Sequence, residues 1–288
     1  MKNNIRPFVK WVGGKRQLIP QIKQFLPLKY SEYVEPFLGA GALFFHLMPS
    51  IAKVNDMNVE LIDTYEAIRD DIDNLIKKLK EHEKNNTKEY FYSVRIWDRQ
   101  KGYNNRSKTT KAARFIYMNK VGFNGLYRVN LKGQFNVPYG RYVNPKICDE
   151  TLLRSISEYL NEKNITFSSV DFEEAVKDTE RGSFVYFDPP YDPLSKTSSF
   201  THYQKGGFNQ EEQKRLKRVA DDLVYRGVKV ILSNSNTQFI NNLYKNKLED
   251  AKSDVDYFIV ELVDAKRSIN SKAHGRGKIK EVLIISKD

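Results

Sequence analysis

Short apolar runs, a glycine-rich turn and a helical segment alternate near the start of the chain. Residues 31–56 read as a strand (SEYVEPF), a turn (LGAGAL), a helix (ALFFHLM) that ends at Pro49, and a second strand (AKVND) that ends at Asp56. Strand, glycine-rich turn, helix and strand in this order predict the beginning of an α/β unit.

The middle of the chain lacks this alternation. Residues 57–93 place apolar side chains close to every 3.6 residues, which predicts helix. Residues 94–165 are basic and rich in Asn and aromatic residues, with a helical centre near TTKAARFIYMNK. The run NLKGQFNVPYG predicts a hairpin with Lys132-Gly133 at its tip.

The α/β pattern returns after residue 165. NITFSSVD predicts a strand, and SFVYFDPPY predicts a buried strand that runs into a loop. QEEQKRLKRVADDLVYRG predicts an amphipathic helix closed by Gly227, and VKVILSNS predicts the next strand. VDYFIVELV and IKEVLIISK predict a strand pair. We therefore expect a split α/β domain, residues 1–56 and 166–288, interrupted by a basic block over residues 57–165.

The net charge is concentrated in that block. The 288 residues carry a formal charge of +12, with a sequence pI of about 9.4. Residues 95–146 hold twelve basic residues and one acid, Asp98, interleaved with nine aromatic residues. Cations that meet phosphates, mixed with rings that stack or wedge between bases, predict a DNA partner. A solvated basic surface is the alternative, and some of the rings are expected in the core.

Composition argues against several other classes. The single cysteine, Cys148, allows no disulfide within the chain and fits a reducing cytoplasm. The first residues lack the apolar region of a signal peptide, and no apolar run approaches the roughly 18 residues of a membrane span. No membrane partner is therefore expected. The four histidines lack metal-ligand spacing, so no metal site is expected either.

The glycine-rich turn EPFLGAGAL, Glu35 to Leu43, allows backbone to approach a ligand closely. Phe44 stands where a dinucleotide fingerprint has its third glycine, which favours a ligand without phosphates. Asp56, at the end of the next strand, is placed to accept hydrogen bonds from ribose hydroxyls, and a turn carboxylate is the alternative. A Gly-x-Gly turn is common, so this motif matters only in combination with the others.

The sequence DPPY, Asp188 to Tyr191, follows the apolar strand SFVYF and is the most specific motif in the chain. An aromatic amine is a weak nucleophile because its lone pair is delocalised into the ring. The Asp188 carboxylate and a carbonyl held by Pro189 and Pro190 can accept both amine hydrogens, which draws electron density onto the nitrogen as it attacks a sulfonium methyl group. Tyr191 can stack on a base turned out of the helix. A proline turn that merely closes a strand is the alternative.

The segment FVKWVGGKR, residues 8–16, is a second candidate for ligand binding. The Trp11 indole can hold an adenine ring or a sulfonium, and Lys15 can reach a carboxylate. A Gly-Gly turn with basic flanks is common, so this motif is weak alone.

The segment 121–142, VGFNGLYRVNLKGQFNVPYGRY, is a candidate for base reading. Asn and Arg are the side chains that pair with adenine and guanine edges in the major groove. Phe123 or Tyr127 can wedge between bases. A solvated basic loop would explain the charge of this segment but not its density of Asn, Gly and aromatic residues.

Together these motifs closely resemble the Dam-type DNA adenine methyltransferases of class alpha, including the DpnM-like modification enzymes, over nearly the whole chain. The shared order is FVKWVGGKR, EPFLGAGALF, Asn55-Asp56, the 121–142 block, DPPY and ILSNS. The resemblance implies an α/β, Rossmann-like methyltransferase sheet with an inserted helical DNA-recognition domain over residues 57–165. It also implies S-adenosyl-methionine as cofactor and direct in-line transfer to adenine N6 in duplex GATC after base flipping.

The resemblance assigns the site residues by motif position. Catalysis would fall to Asp188, Pro189, Pro190 and Tyr191. Cofactor contacts would be Trp11, Lys15, Glu35, Phe37, Gly39, Asp56, Asp171, Phe172 and Asp188. DNA contacts would be Lys10, Phe123, Asn124, Arg128, Arg141 and Tyr142. Phe123 stands where a Dam relative has Tyr, so it keeps the wedge and loses any hydroxyl contact. The Ser and Arg residues of the charged tail, 266–284, are further candidates for phosphate contact.

The resemblance implies duplex DNA as partner, a cytoplasmic location, and modification beside a restriction endonuclease that acts on the same site without a stable complex. Three alternatives stay open. One is an orphan regulatory or repair-marking adenine methyltransferase. Another is transfer to the 4-amino group of cytosine or to a base in RNA, although Asp rather than Ser at 188 favours adenine. The last is a DNA-binding protein with an inactive methyltransferase fold.

Overall fold

The described part of the chain separates into two compact units. The computed structural model describes residues 5–194, 207–245, 257–266 and 278–287. The first unit draws on Met1–Lys15, Gly39–Met48 and Asp56–Ser169, and the second draws on Arg16–Leu38, Pro49–Asn55 and Val170–Asp288. Neither unit is one continuous stretch of sequence.

The strands form one seven-stranded sheet. They are β1 (Tyr33–Glu35), β2 (Ile51–Asn55), β3 (Asn164–Ser168), β4 (Phe184–Phe187), β5 (Lys229–Ser235), β6 (Phe258–Lys266) and β7 (Lys278–Ser286). Their order is β3-β2-β1-β4-β5-β7-β6. β1 pairs in parallel with β2 and β4, and β4 pairs in parallel with β5. β7 is antiparallel to both β5 and β6, as predicted for the strand pair at the end of the chain. The α/β fold class is confirmed.

The α-helices of the described residues lie between the strands and within the central block. They are α1 (Ile19–Ile22), α2 (Ala42–Leu47), α3 (Val59–Asp70), α4 (Ile72–Lys84), α5 (Lys88–Arg95), α6 (Lys108–Val121), α7 (Glu150–Glu162), α8 (Phe172–Val176), α9 (Gln210–Tyr225) and α10 (Gln238–Lys245). Among these ranges no helix has the length and apolar character required to cross a bilayer.

The core of the second unit explains why its central strands are continuously apolar. Every residue of β4 is buried, and only Lys229 of β5 is not. Strands inside a parallel sheet are covered on both faces and therefore lack the alternation of a half-exposed strand. The apolar face of α9, with Leu216 and Leu223, belongs to the same core as Val185 of β4 and Leu232 of β5.

Strand β1 marks the position where the strand order reverses, since the chain-adjacent β2 lies on one side of β1 and β4 lies on the other. Ligands of open α/β sheets bind beyond the carboxyl ends of the strands at such a switch point. β1 ends at Glu35, and β4 ends at Phe187, directly before Asp188. The fold of the second unit therefore places the DPPY loop at the edge of the sheet where a ligand is expected.

The helical stretch predicted over residues 57–93 is three helices rather than one. Asp71, with φ −145°, separates α3 from α4, and Thr87 caps the start of α5 by accepting the Tyr90 N–H. Asn58 caps α3 by accepting the Leu61 N–H in the same way. The side-chain oxygens of Asn58 and Thr87 satisfy backbone donors that have no partner within the helix, so these two residues start α3 and α5, whereas Asp71 precedes α4 without a side-chain cap.

The predicted hairpin at 130–134 is confirmed. Val129 and Phe135 form an antiparallel bridge, and the Asn130 N–H donates to the Gln134 carbonyl at 2.9 Å. Gly133 has φ +73° at the tip, a backbone conformation that favours glycine. The basic block therefore presents a short two-stranded projection.

Candidate active site

Two aromatic rings pack so closely against the glycine-rich turn of the first unit that two of its positions require glycine. Gly39 and Gly41 have φ +51° and +68°. A Cβ atom on Gly39 would lie 2.8 Å from Trp11 Cδ1, and one on Gly41 would lie 2.9 Å from the Tyr65 hydroxyl. Sequence analysis attributed these glycines to the close approach of a ligand. In this unit they admit the rings of Trp11 and Tyr65, which pack directly on the turn.

The Asp56 carboxylate holds the same turn. Its Oδ2 atom accepts the Gly39 N–H at 2.8 Å, and its Oδ1 atom accepts the Asn58 N–H at 2.9 Å. Burial raises the pKa of Asp56, and the two backbone hydrogen bonds partly oppose this effect. Each carboxylate oxygen has a second lone pair. The turn-carboxylate role is therefore present, and further acceptor capacity for a hydroxyl group is available.

Trp11 and Lys15 lie in the same unit. The Trp11 ring stacks on Tyr127, with ring centroids 5.6 Å apart and an interplanar angle of 24°. The Lys15 side chain is buried, and its Nζ atom donates to the Gly13 carbonyl at 2.6 Å. Trp11 therefore contacts both the glycine-rich turn and Tyr127 of the 121–142 segment, whereas the Lys15 side chain bonds to a carbonyl of its own loop.

Asn119 connects two of the predicted DNA-contact segments, and sequence reasoning missed it. This side chain is fully buried on α6. Its Oδ1 atom accepts the Lys10 N–H at 2.9 Å, and its Nδ2 atom donates to the carbonyls of Lys10 and Gly125 at 2.8 and 2.9 Å. The Lys10 ammonium lies 5.3 Å from the centre of the Tyr142 ring. Lys10, Gly125 and Tyr142 are thus brought together.

Three of the remaining DNA candidates, Phe123, Arg128 and Arg141, are exposed, and Asn124 is half-buried. Phe123 is an exposed apolar side chain, with 44% of its surface accessible. Arg128 is exposed on the hairpin, and its Nε atom donates to Asn136 Oδ1 at 2.7 Å. Asn124 and Arg141 adopt left-handed backbone conformations, with φ +57° and +53°. These features leave a ring and two guanidinium groups directed away from the core.

Two acids, Asp98 with its buried side chain and the half-buried Glu60, anchor residues at and near the hairpin. Asp98, the only acid of the 95–146 segment, forms an ion pair with Arg114 at 2.8 Å and accepts the Phe135 N–H at 2.7 Å. Glu60 accepts the hydroxyls of Tyr103 and Tyr127 at 2.9 and 2.8 Å. Buried charges are tolerated when they are paired and hydrogen-bonded. The one acid among twelve basic residues therefore acts as an internal anchor.

In the second unit, β5 holds the Asp188 carboxylate. Ser233 Oγ donates to Asp188 Oδ1 at 3.0 Å and lies 3.0 Å from the Tyr186 hydroxyl. The Tyr191 hydroxyl donates to Glu281 Oε2 at 3.0 Å. Burial, followed by the nearby charges of Asp188 and Glu281, raises the pKa of Tyr191 well above its ordinary value. Tyr191 is therefore a neutral ring with its hydroxyl fixed.

The end of the DPPY loop is held by two buried amides. Gln213 Nε2 donates to the Pro190 carbonyl at 2.9 Å, and Asn234 Nδ2 donates to Gln213 Oε1 at 3.0 Å. Asn234 Oδ1 accepts the Asp192 N–H at 3.1 Å, and Ser235 Oγ donates to the Asp192 carbonyl at 2.5 Å. Neither amide was identified from the sequence as part of the site.

An aromatic cluster in the second unit contains two predicted cofactor residues. The Phe37 ring centre lies 5.5 Å from that of Phe172 and 5.6 Å from that of Phe208. The Arg215 guanidinium lies 4.3 Å from the centre of the Phe172 ring and donates to Asp171 Oδ2 at 2.6 Å. Sequence analysis predicted Phe37, Asp171 and Phe172, but missed Phe208 and Arg215.

The ends of β1 and β2 are fixed by polar side chains. Glu35 is buried and accepts the Tyr33 hydroxyl at 2.8 Å. The Asn55 side-chain amide donates to the carbonyls of Pro36 and Val170, and its oxygen accepts the Val170 N–H. Asn55 thus connects the segment after β1 to the segment before Asp171.

Within the described ranges, no group of three or more His, Cys, Asp or Glu side chains is arranged to hold a metal ion. The tail residues 267–277, among the candidates for phosphate contact, lie outside the described residues.

The fold and these residues define an α/β protein with a DPPY loop at the ligand-binding edge of its sheet. Residues 11–260 match the family described as D12 class N6 adenine-specific DNA methyltransferases, and the chain belongs to this family.

Three relatives match nearly the whole chain. A type II methyltransferase of Lactococcus lactis subsp. cremoris, M1.LlaDCHI, is 49% identical, with 98% of this chain and 96% of the relative covered. M.MjaIII, a type II methyltransferase of Methanocaldococcus jannaschii, is 41% identical, covering 98% of this chain and 99% of the relative. The DNA adenine methylase of Escherichia coli K12 is 34% identical, and the match covers 100% of this chain and 97% of the relative. The chain is therefore an adenine-specific DNA methyltransferase that uses S-adenosyl-methionine as methyl donor and DNA as substrate.

Proposed function

We propose that the chain methylates adenine N6 within duplex GATC and that the DPPY loop carries out the reaction on a base turned out of the helix. The observation that carries the proposal is the fixed Asp188 carboxylate, which accepts Ser233 Oγ at the carboxyl end of β4. A carboxylate held in place before the substrate arrives needs little reorganisation during the reaction. The resemblance of the 121–142 block to Dam-type enzymes supports GATC as the target.

Asp188 and a proline carbonyl would act on the target amine together. The Pro190 carbonyl already accepts the Gln213 amide, so we assign the second acceptor to the Pro189 carbonyl. S-adenosyl-methionine supplies an electrophilic methyl group on a positively charged sulfur. Asp188 and Pro189 accept the two N6 hydrogens, and the nitrogen lone pair forms the new N–C bond as the S–C bond breaks. One N6 proton then leaves to Asp188 or to water, which restores a neutral amine.

Several of the predicted cofactor residues, each within its own unit, fit this cofactor in their chemistry. In the first unit, Asp56 has acceptor capacity for ribose hydroxyls beyond its two backbone hydrogen bonds. In the second unit, Phe37 and Phe172 supply apolar faces for a purine ring, and Asp171 supplies a carboxylate beside them. We propose cofactor contacts for all four residues and for Trp11, whose indole can hold a ring or a sulfonium.

We propose that the block over residues 57–165 reads the target and that the parts 1–56 and 166–288 carry out catalysis. The exposed guanidinium groups of Arg128 and Arg141 can pair with guanine edges, and Phe123 can wedge into the space left by the extruded base. Lys10 lies over the ring of Tyr142, the last residue of the 121–142 segment, and we propose that both contact the DNA backbone or a base.

We further propose a role in restriction-modification, beside an endonuclease that cuts the same unmethylated site. The support is that the relatives at 49% and 41% identity are type II methyltransferases. The E. coli relative at 34% identity is named a DNA adenine methylase rather than a type II methyltransferase, so the alternative of an enzyme without such a partner stays open.

The test is to identify the modified base and its sequence context. Duplexes that contain GATC, each single-base variant of it, or the same bases in scrambled order are treated with enzyme and labelled cofactor, then digested to nucleosides. We expect N6-methyladenine from the GATC duplex alone. Label on the cytosine 4-amino group, or equal label in the scrambled duplex, would contradict the proposal.

A further inference from the structure

The buried amides of Gln213 and Asn234 form a clasp across the DPPY loop of the second unit. Both side chains have 0% of their surface exposed. In the clasp, each side-chain amide donates through its nitrogen and accepts through its oxygen: Gln213 joins the Pro190 carbonyl to Asn234, and Asn234 joins Gln213 to the Asp192 N–H. A buried polar network that is hydrogen-bonded in this way specifies a single geometry.

The two prolines explain why the loop depends on an external donor. Neither Pro189 nor Pro190 has a backbone N–H, so the loop has no donor of its own at these positions. The Pro190 carbonyl takes its donor from a group outside the loop. Gln213, which lies on α9, is such a group, and its amide reaches Pro190 at 2.9 Å.

The clasp also determines the direction of the Pro189 carbonyl. Two dihedral angles, φ and ψ of Pro190, separate the Pro189 carbonyl from that of Pro190. The pyrrolidine ring fixes φ near −65°, and the hydrogen bond from Gln213 to the Pro190 carbonyl holds ψ. Fixing one carbonyl therefore fixes the other.

We propose that Gln213, held in place by Asn234, is a positioning residue for methyl transfer, which acts through the Pro190 carbonyl to aim the Pro189 carbonyl at the target amine. The inference rests on the proposed role of Asp188 and Pro189. Three consecutive residues of β5 complete the frame: Ser233 holds Asp188, while Asn234 and Ser235 hold Asp192. The loop is thus fixed at its start, its middle and its end.

The first test is Gln213→Leu, which keeps most of the side-chain volume and removes the donor. A small misplacement of reacting groups can lower a rate by about 10²-fold, so we expect a loss of this order in the single-turnover rate. Dissociation constants for cofactor and DNA should stay within about twofold, because the clasp touches neither in the proposed role. The matched control is Gln210→Leu, an exposed glutamine in the first turn of the same helix.

The second test is Gln213→Glu, read as a pH profile. An ionised Glu cannot donate to the Pro190 carbonyl, whereas a protonated Glu can, and burial raises the pKa of a carboxyl group. The single-turnover rate relative to wild type should rise as the pH falls from about 8.5 to about 6, while the same ratio for Gln213→Leu stays flat. A merely structural role would not give this recovery.

The outcomes separate this inference from the proposed function. Wild-type rates in both Gln213 variants would overturn the positioning role, and so would a rate for Gln213→Glu, relative to wild type, that does not change with pH. In either case, a loss of activity in Asp188→Ala would still support the catalytic role of the DPPY loop. An unimpaired Asp188→Ala would instead overturn the proposed function. If Gln213→Leu does not yield folded protein, as judged by its thermal transition, the pH profile of Gln213→Glu decides the question.

Discussion

The Asp56 carboxylate accepts the backbone N–H of Gly39 at 2.8 Å, so the acid at the end of β2 holds the glycine-rich turn before any ligand is bound. Its other oxygen accepts the Asn58 N–H, at the residue that caps α3. One side chain therefore fixes the turn and the start of the following helix. The same carboxylate is the proposed acceptor for ribose hydroxyls, so structure and ligand binding depend on it together.

Asp56→Ala should weaken both cofactor binding and the stability of the fold. Hydrogen bonds to a charged group contribute about 1.5–3 kcal/mol, so we expect cofactor affinity to fall about 10- to 100-fold. Stability should fall by about 1–3 kcal/mol because two backbone N–H groups lose their acceptor. Calorimetric titration with cofactor and chemical denaturation measure the two effects. Asp70→Ala, at an exposed ion pair with Arg69, is the control; equal losses in both variants would remove the special role of Asp56.

Replacing Arg128 or Arg141 by Ala should relax the preference for the target sequence. A guanidinium that reads guanine contributes about 1–3 kcal/mol of discrimination, so single-base variants of GATC should approach the rate of the parent duplex. Lys132→Ala, at the exposed tip of the same hairpin, should weaken binding to all duplexes equally and lower its salt dependence. An unchanged ranking of sequences in both Arg variants would exclude these residues from base reading.

The buried ion pair between Asp98 and Arg114 gives a prediction about stability. Removing one partner of such a pair leaves an uncompensated charge, which costs about 3–5 kcal/mol. Asp98→Asn should therefore lower the free energy of unfolding by about this amount in urea denaturation. The exposed pair of Asp73 and Arg154 serves for comparison, because a surface ion pair contributes about 0–1 kcal/mol. Similar losses in Asp98→Asn and Asp73→Asn would show that burial of the first pair has no energetic consequence.

His82 makes the stability of the first unit sensitive to acid. Burial, and then the charges of Lys78 and Arg114, lower the pKa of His82 from 6.5 to about 4. The unfolded chain takes up this proton at a higher pH than the folded protein does. Stability should therefore be lost as the pH falls from about 6.5 to about 4, by up to about 1.4 kcal/mol per pH unit.

The variant His82→Phe tests this assignment. Phe keeps the stacking on Tyr117, whose ring centre lies 4.7 Å away, and loses the hydrogen bond with the Tyr90 hydroxyl. Denaturation curves at several pH values should show a smaller acid-dependent loss in this variant, whatever its stability at neutral pH. An unchanged slope in His82→Phe would assign the acid sensitivity to other groups.

The elements that the sequence predicted well are those with a strong local pattern. The run SFVYF became β4 because a strand buried on both faces must be continuously apolar. The hairpin followed from Gly133 between alternating residues. The 3.6-residue period of apolar side chains predicted helix over residues 57–93 but not its division into three helices. The period does not show that the backbone of Asp71 is not helical. A helix end that depends on one capping residue leaves little trace in the spacing of apolar residues.

The polar residues that position the site were harder to find, because their partners are distant in sequence. Asn119 bonds to Lys10 across 109 residues, and Asn55 bonds to Val170 across 115. Gln213 did leave a local signal, since it lies three residues before Leu216 on the apolar face of α9. A polar side chain on an apolar face needs a hydrogen-bond partner. The helical pattern therefore identifies Gln213 as a polar residue in need of a partner, but it does not identify the loop that Gln213 holds.

The most direct measurement is the single-turnover rate of methyl transfer to a GATC duplex by Asp188→Ala. The exposed Asp178→Ala serves as control. Loss of a pre-placed group that stabilises the transition state lowers a rate by at least about 10²-fold. We predict a loss of this size or larger in N6-methyladenine formation by Asp188→Ala, with DNA affinity close to wild type. Formation of N6-methyladenine by Asp188→Ala at the wild-type rate would contradict the account.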